Sequence, residues 1–495
     1  MPPPVAAIDI GSNAVRLIVA AIQDGTRTVL KTEREPVRLG ADVFTHGTLG
    51  TEAFDRLIKA LAGFKQTMQR LGVQRYRAVG TSALREARNR ADILEVLAQK
   101  TGIEVEAIDG EEEARLIFMA VASAMELGER RTALIDIGGG STEVAVARGA
   151  EVVSLNSFKL GTVRALGRLK LGDGNFVRRL RELVLAQRSA LPEEPVELCI
   201  GTGGNVEAYG DLRRRLLGRE GGHLIARSEL SEMLGQLQKL TYEQRIEELG
   251  LRPDRADVII PAGVLLETLM ELLGASELVI PRVGLKDGLL EDLLTPNPRR
   301  REEQALRSAY QLGRHCTFDE VHAEKVMELA LGLFDETRRL HGLDDKARFY
   351  LQVAALLHDV GKFVNPSGHH KHSHYLIRNS RMLGLTPAQR NLIACVARYH
   401  RKAAPSSNHL PFRDLSPREK PLVQKLSALL RLAEALDAEH RGQIRSVKAR
   451  KSKGALVLKL EGPGDLLLER WAVQPCLSVL HEALGTPVQM VFLAS

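Results

Sequence analysis

Two stretches of the chain read alike: AIDIGSNAVRLIVA over residues 7–20 and LIDIGGGSTEVAVA over residues 134–147. Each runs I-D-I-G, then a small polar cluster, then an apolar run ending in V-A. The pattern predicts a strand, a glycine-rich turn and a second strand, written twice. Glycine permits the close backbone approach that a phosphate needs, and successive N–H groups in such a turn form an anion-binding nest. The first turn supplies Gly11, Ser12 and Asn13, and the second Gly138, Gly139, Gly140, Ser141 and Thr142. The Asp at each strand end, Asp9 or Asp136, is placed to hold a divalent cation against phosphate oxygens. Two such turns facing each other across a cleft would grip one phosphate chain from both sides. A third turn of the same kind, CIGTGGN at 199–205, adds Gly201, Thr202, Gly203 and Gly204.

Outward from these turns, strand-like and helix-like patterns alternate through the first ~295 residues, the arrangement of an α/β fold. VAAIDI, VRLIVAAI, RYRAVGT and IEVEAI read as strands of a first domain, 1–125. The helical patterns between and after them include EAFDRLIKALAGFKQTMQRL, SALREARNRADILEVLAQK and GEEEARLIFMAVASAM. TALIDI, TEVAVA, EVVSLNSF and VELCI read as strands of a second domain, 126–297. The Pro-containing, charged stretch TPNPRRREEQ at 295–304 reads as a linker. A helical domain is expected over 305–440 and a small α+β piece over 441–495.

The 495 residues carry a formal charge of +7, with 44% hydrophobic and 26% charged residues. A basic chain suits a polyanionic partner, and no recognised nucleic-acid motif accompanies the charge. No apolar run approaches the ~20 residues of a membrane span, and no basic start leads into an apolar leader. Cys199, Cys316, Cys395 and Cys476 lack metal or disulfide spacing and read as reduced thiols of a cytoplasmic protein.

The arrangement resembles the actin, heat-shock ATPase and sugar-kinase superfamily. In detail it is similar to the exopolyphosphatase and guanosine-pentaphosphate phosphatase family. DIGSNAVRL (9–17), GTSALREARN (80–89), IDGEEEARLIFMAV (108–121), IDIGGGSTE (135–143), GTGGN (201–205) and PRVGLKDGLL (281–290) carry the resemblance. It implies a duplicated, ribonuclease H-like fold of two actin-like domains in a cytoplasmic homodimer. It also implies hydrolysis of terminal phosphate from inorganic polyphosphate with Mg²⁺ or Mn²⁺, with guanosine pentaphosphate as the alternative substrate. Glu113 matches the family's water-activating glutamate, Asp136 its metal-side aspartate, Glu143 the glutamate after the second turn, and Arg85 an arginine on the phosphoryl group. The family's R-E-G stretch reads Arg282-Val283-Gly284; the retained Arg282 is assigned to phosphate. Glu111 and Glu112 have a simpler explanation: acids in a helix's first turn complement its dipole, and Asp109 with Glu112 forms a capping-box-like pair. A nucleotide-dependent kinase would need an acceptor site, and a non-enzymatic actin-like scaffold would leave the histidines of the second half without purpose.

Of the 14 histidines, only His46 and His223 precede residue 300. AALLHDVGKFV (354–364) places His358 beside Asp359, a donor pair suited to a divalent ion. This half is similar to the HD phosphohydrolase superfamily, which implies an all-α fold with His322, His358, Asp359 and Asp437 as metal ligands. His372 and His400 match the extra histidines of two-metal members. His369 and His374 are expected to face solvent or phosphate.

Overall fold

The buried run VAAIDI forms β1 (Val5–Ile10), and the run after the first glycine turn forms β2 (Val15–Gln23). The computed structural model describes residues 3–494 except 24, 25, 150, 170–174, 295–297, 381, 453, 464 and 465. β1 pairs antiparallel with β2, Asp9 opposite Arg16 and Ile10 opposite Val15. β3 (Thr26–Glu35) extends this ribbon at the sheet edge. β4 (Arg75–Gly80) and β5 (Val105–Ala107) add in parallel on the other side, giving the order 3-2-1-4-5.

The second copy builds the same sheet. β6 (Arg131–Ile137) pairs antiparallel with β7 (Thr142–Arg148), Asp136 opposite Glu143 and Ile137 opposite Thr142. β8 (Glu151–Phe158) lies beyond β7. β9 (Leu198–Thr202) and β11 (Glu277–Val279) run parallel on the far side of β6, with β10 (Leu224–Ala226) antiparallel at the edge. Even the register slip repeats. It falls between Val19 and Ala20 in β2 and between Val146 and Ala147 in β7, the fifth and sixth residues of each strand. The repeated sequence is thus a repeated mixed sheet.

Helices cover the sheets through apolar stripes at helical spacing. The Thr51–Arg70 helix buries Leu57, Leu61, Phe64 and Met68 in the core of the first sheet. The Ile259–Leu272 helix, apolar nearly all round, lies in the core of the second. The expected single helix over SALREARNRADILEVLAQK is instead two, Ser82–Glu86 and Arg90–Thr101. Ala87 takes an extended conformation, and the groups freed there bond to a neighbouring loop: Arg88 N–H donates to Gly47 C=O, and the Asn89 amide bonds both N–H and C=O of Leu49.

The chain divides into two compact units, Met1–Asn297 and Pro298–Ser495. Of the expected linker, residues 295–297 lie outside the described residues. From Pro298 onward it is already helix, Pro298–His315, because Pro is well placed at a first helical position and Arg, Glu and Gln are strong helix formers. In the second unit the main helices are Glu320–His341, Asp345–Leu357, His369–Asn379, Pro387–Arg398 and Glu419–Ala435. They share one apolar core with β12 (Ser446–Ser452), β13 (Ala455–Gly462) and the Leu467–Leu484 helix. β14 (Val488–Ala494) completes this sheet, parallel to β13.

One glycine fixes how the second turn is braced. The Thr162–Arg168 helix donates Thr162 N–H to Gly138 C=O at 3.1 Å and Val163 N–H to Gly139 C=O at 2.8 Å. A Cβ on Gly161 would run into the backbone of Gly139 and Gly140. Gly161→Ala is expected to destabilise the first unit by about 1–3 kcal/mol, the usual cost of overpacking. A urea midpoint equal to that of the unsubstituted chain would contradict this.

Candidate active site

The same bond closes both turns: Gly11 N–H donates to Ala14 C=O at 3.1 Å, and Gly138 N–H to Ser141 C=O at 3.0 Å. The turns meet. The hydroxyls of Ser12 and Ser82 are 2.8 Å apart, and a Cβ on Gly139 would lie 3.1 Å from Ser12 Cβ. A cleft of about 140 Å³ is lined by Gly11, Ser12, Asn13, Gly138, Gly139 and Ser141. The third turn contributes Gly203 and Gly204. Gly203 sits at φ +87, a conformation that favours glycine, and brings the start of the Gly204–Leu217 helix to the cleft. Helix N-termini attract anions.

Four buried carboxylates converge here, each held by a different partner. Asp9 accepts from Arg16 at 3.0 Å, Asp136 from Thr202 Oγ1 at 2.6 Å, and Glu143 from Ser157 Oγ at 2.8 Å. Glu113 accepts from Arg85 at 3.3 Å, and Arg85 is itself anchored on Ile108 C=O at 2.8 Å. The geometry separates Glu113 from its neighbours in the Gly110–Ala124 helix. Asp109 caps that helix by accepting from Glu112 N–H, and the Glu112 carboxylate is bound by Arg77 and Arg115. Of the three glutamates in this first turn, Glu113 lines the cleft.

Burial disfavours charge on all four acids. It raises Asp9, against the opposing pull of Arg16. Asp136 is pushed up to about 6, chiefly by burial. Glu143 is pushed up to about 7 by burial and then by Asp136. Glu113 stands well above the usual carboxylate range through burial and Glu143, with Arg85 opposing. One oxygen each from Glu113, Asp136 and Glu143 lies within 4.8 Å of the others, and Glu143 Oε2 is buried without a hydrogen-bond partner. Hard oxygen donors in this arrangement fit Mg²⁺ or Mn²⁺.

The other expected residues divide. Thr202 positions Asp136, and Thr142 bonds Leu160 C=O. Gly140 packs beneath Phe44 and Ser82, and Gly201 against Val206 and Leu278; these glycines shape the turns. Arg282 is not brought to the cleft. It takes φ 58, is held by Asp211 at 2.6 Å, and faces a surface pocket with Arg214, Arg215 and Arg219. Lys286 from the same motif lines the cleft instead, together with Arg16 and Arg255. Arg16 was findable in the repeat: it stands opposite Asp9 as Glu143 stands opposite Asp136.

In the second unit, His322, His358, Asp359 and Glu434 each place one donor atom within 4.8 Å of the others. Glu434 takes the position expected of Asp437. Its Oε2 lies 3.1 Å from His322 Nε2 and 2.8 Å from His358 Nε2. Asp437 stands behind, 2.7 Å from His322 Nδ1, and orients that ring. A second group joins Asp359 to His369 and His400. His369, expected to face solvent or phosphate, is 2% exposed and grouped with Asp359 and His400, and His372 is not part of either group. The buried face of the His369–Asn379 helix runs through His369, Ser373 and Ile377, and His372 lies beside that face, half-buried. His374 is buried beside Cys395.

Comparison with known proteins gives a consistent result. The pattern of the Ppx/GppA phosphatase family matches residues 18–296, and that of Ppx/GppA phosphatase domain III matches residues 305–473. A guanosine-5'-triphosphate,3'-diphosphate pyrophosphatase of Aeromonas salmonicida (strain A449) is 31% identical over 405 residues, 79% of each chain. The crystal structure of an exopolyphosphatase from Cytophaga hutchinsonii is 25% identical, with a TM-score of 0.54 over 59% of this chain and 97% of that one. A Ppx/GppA family member from Aquifex aeolicus is 26% identical, with a TM-score of 0.51 over 60% and 99%.

The raised acids make stability depend on pH and metal. Asp136 and Glu143 titrate at about 6 and about 7 in the folded chain, against ordinary values of 3.8 and 4.5. Between these limits the folded chain binds more protons than the unfolded one, so metal-free stability falls as pH rises from about 4 to about 7. Mg²⁺ is expected to raise the melting temperature of the first unit far more near pH 7.5 than near pH 5. Equal stabilisation at both pH values would contradict the assignment.

Proposed function

The chain belongs to the Ppx/GppA phosphatase family, a phosphatase acting on phosphoanhydride bonds, and from that premise we propose that its cleft removes terminal phosphate from inorganic polyphosphate. The observation that carries this is Glu113, a buried acid facing the cleft where the two glycine turns meet. Glu113 takes the proton of a water molecule as that water attacks the terminal phosphorus. The bond from phosphorus to the bridging oxygen breaks, and the shortened chain leaves with that oxygen. Burial keeps the proton affinity of Glu113 high enough for this task near neutral pH, and Arg85 holds its carboxylate in place. N–H groups of Ser12, Asn13, Gly139 and Ser141 receive the phosphate oxygens, while those of Gly11 and Gly138 close the turns. Asp136 and Glu143, with Asp9 beside them, hold Mg²⁺ or Mn²⁺, which supplies neutralising charge when bound. Arg16, Arg255 and Lys286 extend the cationic lining along the chain.

No aromatic side chain lines the cleft among the described residues, which favours a bare phosphate chain over a base needing a stacking platform. The Aeromonas relative supports guanosine pentaphosphate as a second substrate of the same cleft. The four cysteines are free thiols, which suits a cytoplasmic protein, and no helix among the described residues is long and apolar enough to cross a membrane. A homodimer is part of this proposal, on the family resemblance alone. For the second unit, the meeting of His322, His358, Asp359 and Glu434 supports an HD-type fold holding a divalent metal.

Glu113→Gln is expected to lower phosphate release from polyphosphate about 10²–10⁴-fold, the usual contribution of a general base, while polyphosphate binding persists. Near-wild-type turnover would overturn the role. Binding should also weaken as salt rises, because cationic contacts to a polyanion release counterions; a salt-independent affinity would contradict the cationic lining.

A further inference from the structure

At two places in the second unit, neighbouring residues serve different sites. His369 and His400 turn to Asp359, while His370 and Tyr399 beside them line a separate pocket of about 410 Å³. The rings of His369 and His370 stand at 86° to each other, and His370 belongs to neither donor group around Asp359. Lys371, Arg398, Lys402 and His409 complete the polar lining of the pocket. Lysine and arginine side chains donate hydrogen bonds and accept none. No carboxylate lines the pocket, and none of its three cations is paired with one among the described residues. Tyr399 is 2% exposed, yet its hydroxyl has no hydrogen-bond partner; Arg398 Nε and His409 Nδ1 are likewise buried and unpartnered. Buried polar atoms are nearly always satisfied, so three such atoms around one cavity call for a ligand that accepts.

The pocket is held in shape from behind. Arg431, on the Glu419–Ala435 helix, donates to the carbonyls of Tyr399 at 3.1 Å, Lys402 at 2.8 Å and Ala403 at 3.0 Å. That one guanidinium takes up the acceptors of the turn and leaves its donors to the cavity. Lys402 sits at φ 60, in the left-handed region that side chains other than glycine seldom adopt, and such a conformation persists where the surroundings over-determine it. Tyr399 is clamped as well, its ring stacked on His409 at 5.7 Å and 27°, with the Arg398 guanidinium 5.7 Å from its centroid. We propose that this pocket binds a small phosphorylated molecule, whose phosphate dianion is gripped by Lys371, Arg398 and Lys402 and accepts the hydroxyl of Tyr399.

Charge and size together point to that ligand. Three unpaired cations exceed what the single charge of a carboxylate balances. A phosphate end brings two charges and three terminal oxygens, and hydrogen bonds from lysine and arginine to such oxygens are the strong, charge-assisted kind. The cavity is larger than one phosphate group, which leaves room beside His370 and His409 for whatever the phosphate is attached to. Enclosure by a few side chains suits a single end group rather than a long chain, which would need an open track. Inorganic phosphate and a phosphate ester present the same group, so both are sources of the ligand.

Lys371 and Lys402 are exposed, so their reactivity reads the pocket directly in the full chain, apart from any phosphate held in the cleft of the first unit. The chain in Mg²⁺ is treated with acetic anhydride, and the modification of each lysine is followed by mass spectrometry with inorganic phosphate, a phosphorylated sugar or succinate present. Both phosphates should slow the modification of Lys371 and Lys402 and leave the exposed Lys346 unaffected. The one that acts at the lower concentration identifies the source. Lys402→Gln, read at Lys371, and Tyr399→Phe, read at both lysines, should each raise the phosphate concentration needed about tenfold, the loss of one charge-assisted hydrogen bond. Succinate protecting as well as phosphate would overturn the phosphate assignment. Lysines left unprotected by both phosphates, or protection undiminished in both variants, would overturn the site itself.

Discussion

The first unit is organised around a repulsion. Asp9, Glu113, Asp136 and Glu143 are buried together at a cleft whose proposed occupant is itself a chain of negative charges. In a medium of low dielectric such charges cannot share a site unless something positive enters or protons stay on. The raised proton affinities of Asp136, Glu143 and Glu113 express that conflict in the free protein. A divalent cation resolves it, and the same cation lets the polyanion approach. Backbone N–H groups are the other half of the solution, since they bind phosphate oxygens without adding mobile charge. This is why glycine turns rather than further lysines dominate the lining.

Duplication explains why the solution is symmetric. Each sheet carries the same antiparallel ribbon, the same four-residue turn closed by one backbone bond, and the same register slip after the fifth residue of the second strand. Where the copies differ is chemically informative. Arg16 in one copy and Glu143 in the other occupy equivalent places opposite Asp9 and Asp136. One half of the cleft therefore neutralises its aspartate with an arginine, while the other pairs acids and leaves room for a metal.

Much of this was legible in the sequence, because buried strands and glycine turns have strong local signatures. β1, β2, β6 and β7 and the glutamate helix lie where the pattern put them. β3 was not legible: TRTVLKTERE is an edge strand rich in charge, as edge strands are, and resembles a loop. The break at Ala87 escaped because helix propensity runs straight through it and only tertiary hydrogen bonds to Gly47 and Leu49 interrupt it. Arg282 was assigned to the cleft by its motif, yet Asp211 holds it elsewhere. In the second unit the motif led to His358 and Asp359 but not to Glu434. Asp437 is one turn further along the chain, and only the packing of that segment against His322 shows which carboxylate reaches the centre and which stands behind it.

The central claim is hydrolysis, with water as the acceptor activated beside the paired turns. It is tested most directly by incubating the chain with long-chain polyphosphate and Mg²⁺ in oxygen-18 water, with no other acceptor present. The account predicts orthophosphate released singly, each molecule carrying one solvent-derived oxygen, with the polymer shortened by the same number of units. Phosphate release that required a nucleotide or sugar acceptor, or orthophosphate free of the solvent label, would contradict it.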